Sequence, residues 1–489
     1  MHERRTLIQE HEELIQEIGL QILRQLHESQ LHGESARLSS VIARTFRQRR
    51  ALPDGVKGAV VDRVYEVVRS QRWLDHLIAT VAESPVSGGL EDLARWLVRS
   101  VLDGAITLDA ARQQWPRCDW GRLADASRAL DASADPAARL ALRHSLPDWL
   151  AARWLDVFGL DEAEALATAL DARAPQTIRA NAVRTGREAL AEALRAQGLA
   201  VTPTQRAAHG LIVESRTDLF RLPEFKEGLF EVQDEGSQLV SELLAPPPGG
   251  SVLDACAGTG GKTLHLGALL GGKGTIVAVG VGEPGRGQLE ELRRRSRRAG
   301  LHNIRCVLLS GASAPDSANV PQPTARQRTA HRPTTGQPAT RPPTAEFAGG
   351  GAASEYFDRV LVDAPCSGLG VLRRNPELRA HVTPSDVARL AALQRDILER
   401  FAVFVRPGGR LIYATCSILP DENEAIVDAF RRAHPDFTPV PAKEILGSVR
   451  AAAIGDGHVL RLLPHRHGTD GFFAAVLRRS ARVAGGESA

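Results

Sequence analysis

Lysine and cysteine are both scarce in this 489-residue chain. Only five of its 61 basic residues are lysine, so 56 are arginine, yet the net charge is just +3. An arginine bias suits phosphate contacts, and a GC-rich genome produces the same bias more often, so charge alone names no partner. With so few lysines, the position of each becomes informative. The five cysteines, Cys118, Cys256, Cys306, Cys366 and Cys416, are too scattered for a disulfide scaffold. No CxxC pair points to zinc, and no metal is expected. The start, MHERRTLIQEHEEL, is charged and has no apolar h-region. No stretch approaches the roughly eighteen unbroken apolar residues of a membrane span. A cytoplasmic protein without a membrane partner is therefore expected. The length suggests about three domains, and 43% hydrophobic residues suffice for packed cores.

Residues 1–145 read as all-helical. LIQEIGLQILRQL and VVDRVYEVVRSQRWLDHLIATV repeat apolar residues at helical spacing, with arginine on the other side. A second module, 146–235, opens near HSLPDWLAARW, where Pro147 can start a helix anchored by Trp149 and Trp154. It continues through IRANAVRT, the helical REALAEALRAQGL and the strand-like GLIVES, a small α/β arrangement. From 236 to 480 the rhythm becomes strand, glycine turn, helix. SVLDAC, TIVAVG, IRCVLL, FDRVLVDA, RLIYAT and the terminal DGFFAAVLRR are the expected strands of a mostly parallel, Rossmann-like α/β sheet covered on both faces. Residues 312–355 break that rhythm with seven of the 28 prolines and little to bury. They read as a disordered insertion.

Three strand ends carry chemistry. VLDACAGTGGKT (252–263) runs from strand through glycines into a helix start, where the backbone can approach an anionic or nucleotide-like ligand. It is not a Walker loop, because the first glycine of that motif would fall at Cys256. DAPCSGLGVLRRNPE (363–377) and YATCSILPDENEA (413–425) each end a strand with a thiol, after Pro and after Thr. Carboxyl ends of parallel strands share one edge, so Cys366, Cys416 and the turn at 258–261 should converge on one crevice.

Together these motifs resemble the RNA cytosine-5 methyltransferases that use S-adenosylmethionine, in which Pro-Cys and Thr-Cys mark two catalytic thiols. With IRANAVRT, FEVQDEGSQL (230–239) and LLPHRHGTDGFF (462–473), the chain is similar to the bacterial RsmB/Fmu group of the Sun family, which acts on small-subunit rRNA. The helical first part is similar to the NusB-type RNA-binding domain of that group. The resemblance implies a Rossmann-like methyltransferase domain, an all-helical RNA-binding domain, a small linker module and a monomer. It makes Cys416 the nucleophile that adds to carbon 6 of cytosine, with Cys366 assisting product release. Asp363 would meet the base edge while bordering the cofactor, which Cys256, Ala257, Gly258, Thr259, Gly260, Gly261 and Lys262 would hold. Lys262 stands where its charge could favour a thiolate. The target base must leave its stack, at a cost of roughly a few kcal/mol. Arg373, Arg374 and IRANAVRT are candidate phosphate contacts, and the glycines after Cys366 would leave room for the base.

Two departures from the group matter. Gly258-Thr259 replaces Ala-Pro in the first turn, which gains flexibility. Gly280 in VAVGVGEPGRG, and Ala312 further on, stand where the group places acidic residues for the cofactor's ribose and adenine. Glu283 is the nearest substitute for the first, and Asp316 a distant one for the second. Each lost charge-assisted hydrogen bond would cost about 1.5–3 kcal/mol. Two other readings therefore stand beside the rRNA enzyme. One is a non-catalytic RNA-binding or assembly factor on a decayed scaffold; the other is the same chemistry on tRNA.

Overall fold

The computed structural model describes residues 2–31, 37–49, 52, 53, 55–87, 89–131, 135–215, 217–309, 357–452, 454 and 457–481. The insertion expected over 312–355, with Ala312 and Asp316, lies outside the described residues. No helix among them is long and apolar enough to cross a membrane. The chain divides into two compact units.

The first unit contains the residues up to Arg173 together with Leu372–Val382. Its helices each bury one apolar stripe. Val56–Arg69 buries Val56, Val60, Val64 and Val67, and Gln71–Val81 buries Leu74, Leu77, Ile78 and Val81. The i, i+3, i+4 spacing sets these side chains on one face, and burying that face stabilises a helix far more than propensity does. Gly19 lets Trp96 press against the first long helix, since a Cβ there would lie 2.2 Å from the indole. The unit extends beyond the boundary expected at 145. Pro147 does precede a helix, Asp148–Phe158, but the buried Leu150, Ala151 and Trp154 pack it onto the preceding helix Pro136–Arg143.

Leu372–Val382, expected to belong to the catalytic domain, also joins this unit, and Arg379 anchors it. The guanidinium is 3% exposed. It donates to the carbonyls of Arg69, His144 and Leu170 and to the Asp171 carboxylate at 2.7 Å. His144 meets the other Asp171 oxygen at 2.6 Å. Arg373, expected at a phosphate, is instead 5% exposed, and its carbonyl accepts from Arg69.

The second unit contains two sheets. The smaller comprises β1 (Gln176–Ala180), β2 (Val201–Pro203), β3 (Gly210–Val213) and β4 (Phe230–Val232), all antiparallel in the order β2-β3-β1-β4. The helix Arg187–Ala196 covers it with Leu190, Ala191 and Leu194.

The larger sheet comprises β5 (Ser251–Asp254), β6 (Thr275–Val281), β7 (Ile304–Leu309), β8 (Phe357–Asp363), β9 (Val405–Thr415), β10 (Phe437–Pro439), β11 (Val459–Leu462) and β12 (Phe472–Arg479). Its order is β10-β12-β9-β8-β5-β6-β7, with β11 also paired to β12. Strands β5 to β9 are parallel, whereas β12 runs antiparallel beside β9. This is the Rossmann-like sheet that the six expected strands describe; β10 and β11 add short antiparallel pieces. Two apolar clusters, one around Phe401, Phe430 and Phe473 and one around Leu239, Leu266 and Ile412, cover its faces.

Burial opposes the Asp171 charge, but the hydrogen bond to His144 and the Arg379 charge outweigh it and hold its pKa below the ordinary carboxylate value. A depressed carboxylate contributes stability above its unfolded pKa and loses it as pH falls through the folded pKa. Asp171→Ala should therefore destabilise the helical unit by about 3 kcal/mol near neutrality, the low end for a broken buried pair. That difference should shrink below about pH 4. Denaturant titration followed by tryptophan fluorescence measures it, because all six tryptophans lie in this unit.

Candidate active site

Strands β5, β8 and β9 are neighbours and parallel, so their carboxyl ends meet on one edge. The register sets Asp363 opposite Ala414, and the Ala364 amide donates to the Ala414 carbonyl at 2.8 Å. The two chains leave the sheet together there. Cys366 and Cys416 follow within three residues of that register point, and their sulfurs lie 3.3 Å apart.

Lys262 comes to the same place from the start of the helix Gly261–Leu269. Its ammonium donates to Asp363 Oδ2 at 2.7 Å and lies 5.3 Å from the centroid of the Phe472 ring. Burial opposes this charge, but Asp363 outweighs it and Cys416 adds to the effect, so the Lys262 pKa is raised.

Cys366 has different surroundings. The contact with Cys416, burial and the charge of Glu422 raise its thiol pKa well above the ordinary value, with only the Gly368 amide opposing. Lys262 is thus coupled to Cys416, and Glu422 to Cys366. Cys256, on the strand end next door, is also pushed up by burial and by Asp254 and Asp363.

The glycine turn has two kinds of glycine. A Cβ at Gly258 or Gly261 would meet nothing within 4 Å, so both border open space. A Cβ at Gly260 would lie 2.1 Å from Leu292, so this glycine serves packing. The Ala257 amide is used by the Val279 carbonyl and the Gly260 amide by the Ala257 carbonyl. Thr259, expected to loosen the turn, is held: Arg295 donates to its carbonyl at 2.8 Å and its hydroxyl at 3.1 Å. The same guanidinium reaches the buried Glu231 of β4 at 2.9 Å, so the small sheet steadies the turn.

Asp254, absent from the sequence-based site, ends β5 beneath this turn. Its Oδ2 accepts from Thr263 at 2.7 Å, and its buried Oδ1 has no partner. Burial pushes its pKa up to about 6. An open glycine cradle with an unpaired buried acceptor below it fits a ligand that carries donors, and S-adenosylmethionine has an ammonium and ribose hydroxyls.

The ribose end fits less well. Gly280 lies within β6, and a Cβ there would meet Leu289 at 2.9 Å and the Gly285 carbonyl at 3.0 Å. Gly285 in turn approaches the Gly280 backbone, so the paired glycines let the helix Gly282–Ala299 sit directly on the strand. Glu283 does not replace the missing acid at that spot. Its side chain is 80% exposed and pairs with Arg286 at 3.0 Å.

IRANAVRT likewise has a different role from phosphate binding. Arg179 is 1% exposed, bonds Gln233 at 2.8 Å and the Gly261 carbonyl at 3.3 Å, and is brought down to a pKa of about 9 by burial. Asn181 and Arg184 donate to the Ala299 carbonyl at the end of the helix Gly282–Ala299. The segment fastens the small sheet to the cofactor turn and its neighbouring helix.

The chain matches the family described as 16S rRNA methyltransferase RsmB/F over residues 241–321 and 340–478, and its ferredoxin-like domain over 146–219. A ribosomal RNA small subunit methyltransferase B named as probable in Synechocystis is 31% identical, over 85% of this chain and 90% of that protein. The chain belongs to the RsmB/F methyltransferase family. The corresponding protein of Bacillus subtilis, also named as probable, is 28% identical over 95% of this chain and 98% of its own. Among solved structures, PH0851 superposes with a TM-score of 0.68 at 24% identity, over 90% of this chain and 94% of that one. A methyltransferase homologue from Pyrococcus horikoshii gives 0.54 at 26%, over 71% and 99%. This chain is an S-adenosylmethionine-dependent RNA methyltransferase of Rossmann-like fold. Among the described residues no cluster of three or more His, Cys, Asp or Glu could hold a metal ion.

The glycines after Cys366 have a tighter purpose than leaving room for a base. Gly370 donates to the Cys416 carbonyl at 2.9 Å, and Gly471 donates to the Gly370 carbonyl at 2.8 Å. A Cβ at Gly370 would lie 2.3 Å from the Gly471 oxygen and 2.6 Å from the Cys416 oxygen. Three backbones meet there. Gly370→Ala should move the Cys416 loop and cost about 1–3 kcal/mol, with a loss of methyl transfer larger than the loss of S-adenosylmethionine binding. Calorimetry beside a methyl-transfer assay checks the ordering.

Proposed function

We propose that this chain methylates carbon 5 of a cytosine in small-subunit rRNA through a covalent adduct at Cys416. The observation that carries the reading is the paired thiols 3.3 Å apart, with Lys262 and Asp363 joined beside them. Carbon 5 of cytosine is a poor nucleophile. A thiolate at carbon 6 turns it into an enamine-like carbon, the splitting of one hard step into easier ones that covalent catalysis provides. Cys416, near the Lys262 ammonium, is assigned as the nucleophile, and Cys366, whose thiol pKa is raised, keeps its proton. Asp363, which accepts from Lys262 at 2.7 Å, would meet the amidine edge of the base. Bound S-adenosylmethionine would supply an electrophilic methyl group, held by the backbone at Gly258, Thr259 and Gly261 and bordered by Asp254. After transfer a water molecule acting as base takes the carbon 5 proton, the C–H electron pair restores the carbon 5–carbon 6 double bond, and the Cys416 sulfur leaves with the C–S pair. Cys366, carrying its proton against the Cys416 sulfur, assists that release.

The rRNA substrate is supported by the names of the relatives, the Synechocystis and Bacillus subtilis proteins among them. The helical residues 1–145 and the module 146–235 are read as the parts that bring RNA to the site, and 236–480 as the methyltransferase domain. Cys366→Ala should accumulate a protein–RNA adduct through Cys416 that survives denaturing electrophoresis. Cys416→Ala should abolish both adduct and methylation, and an active Cys416→Ala protein would overturn the assignment.

One observation bears on how the cofactor is held. The Gly280–Gly285 approach leaves no carboxylate where the ribose hydroxyls would be held. Titration calorimetry of wild type beside Asp254→Asn tests the partners that remain. Micromolar binding of S-adenosylmethionine is expected for wild type and a loss of about tenfold for the variant; equal affinities would overturn the reading of Asp254 as a cofactor partner.

A further inference from the structure

A second carboxylate lies next to the thiol-bearing loops. Glu422 is fully buried, at 0% exposure. It accepts from the Ser367 amide at 2.8 Å and the Ser367 hydroxyl, from the Ser417 hydroxyl at 2.5 Å, and from Gln394 at 3.0 Å. Ser367 and Ser417 are the residues directly after the two thiols. The two serine hydroxyls also lie 3.3 Å from each other. Glu422 itself is held from the backbone side, where its carbonyl accepts from the buried Tyr413 hydroxyl at 2.5 Å.

We propose that Glu422 is a positioning residue that ties the two thiol-bearing loops together through Ser367 and Ser417 and places a buried carboxylate beside the pair. The inference rests on the reading that Cys416 and Cys366 are the reacting thiols.

Four donors converge on two carboxylate oxygens. A carboxylate satisfies all of them, whereas an amide would set its own N–H donors against donors. The four partners are neutral, so the charge is solvated by dipoles and remains felt nearby, where the low dielectric amplifies it. The groups facing Cys366 are Cys416 after β9, Glu422 from the turn Pro420–Glu422, Tyr413 from β9 and the Gly368 amide. Glu422 opposes a thiolate at Cys366. The carboxylate thus sets the spacing of the sulfurs and helps Cys366 keep its proton.

Three forms of the full chain test this: wild type, Glu422→Gln and Glu422→Asp, each also in a Cys416→Ser background. The pH dependence of iodoacetamide alkylation at Cys366, read by peptide mass spectrometry in that background, reports the charge. Glu422→Gln should lower its midpoint by about one pH unit, whereas Glu422→Asp should leave it unchanged. In the chain with Cys416 intact, both variants should lose at least tenfold in kcat, with KM for RNA and the affinity for S-adenosylmethionine within twofold of wild type. A purely structural role would instead lower cofactor affinity and melting temperature together and leave the alkylation midpoint in place, and that result overturns the proposal. Unchanged kcat in Glu422→Gln overturns it equally. Should Glu422→Gln fail to fold, Glu422→Asp still decides through its kcat loss at constant KM. The alkylation readout needs no turnover: a shifted midpoint in a chain that transfers no methyl group would uphold the role of Glu422 while refuting the proposed function.

Discussion

The site depends on β8 and β9 running side by side and parallel. Because Asp363 is opposite Ala414, the two strands end at the same height, and the segments beyond them carry thiols that come within 3.3 Å of each other. A slip of one residue would turn every side chain on the slipped strand to the other face. The register is protected from both faces of the sheet, where Val360, Val362, Leu411 and Tyr413 on one face and Leu361, Ile412 and Ala414 on the other are fully buried. Antiparallel β12 closes the far side of β9 and brings Gly471 and Phe472 to the same edge. One packs against the Gly370 backbone, and the other offers its ring to Lys262.

Charge is then distributed across this edge. Lys262 and Asp363 form one pair, and Glu422 has only neutral donors around it. Buried ions are retained only with partners, since an isolated one costs several kcal/mol. Here the partners are of two kinds, a cation for Asp363 and four dipoles for Glu422. The Cys366 thiol, in contact with the Cys416 sulfur, buried and near the Glu422 charge, is held well above its ordinary pKa.

Much of this was legible in the chain. Six strands, the glycine turn and the convergence of Cys366, Cys416 and Lys262 follow from short apolar runs ending in unusual residues, because parallel strands share a chemical edge. What was not legible came from long-range packing. Nothing local in PELRA says that Arg379 will enter the helical unit and meet Asp171, more than 200 positions away. Arg179 looked like a phosphate ligand because sequence shows charge and not burial. Gly370 looked like space for a substrate, whereas its missing side chain is filled by the backbones of Cys416 and Gly471. Glu422 stands in plain view in PDENE, but its bearing on catalysis appears only when the serines after both thiols are seen to share it.

The two departures in the cofactor region resolve differently for a physical reason. Losing a proline at Thr259 costs backbone order, and backbone order can be restored by any group that reaches the loop; Arg295, itself braced on Glu231, does so with two hydrogen bonds. Losing a carboxylate at Gly280 removes a specific acceptor. The space it would occupy has been taken by the helix Gly282–Ala299, whose Gly285 now abuts Gly280. The first change is compensated by a neighbour, while the second is built into the packing of strand on helix. The glycine turn and Asp254, whose raised pKa of about 6 makes its acceptor strength grow as pH rises through that value, are thus the cofactor partners we propose.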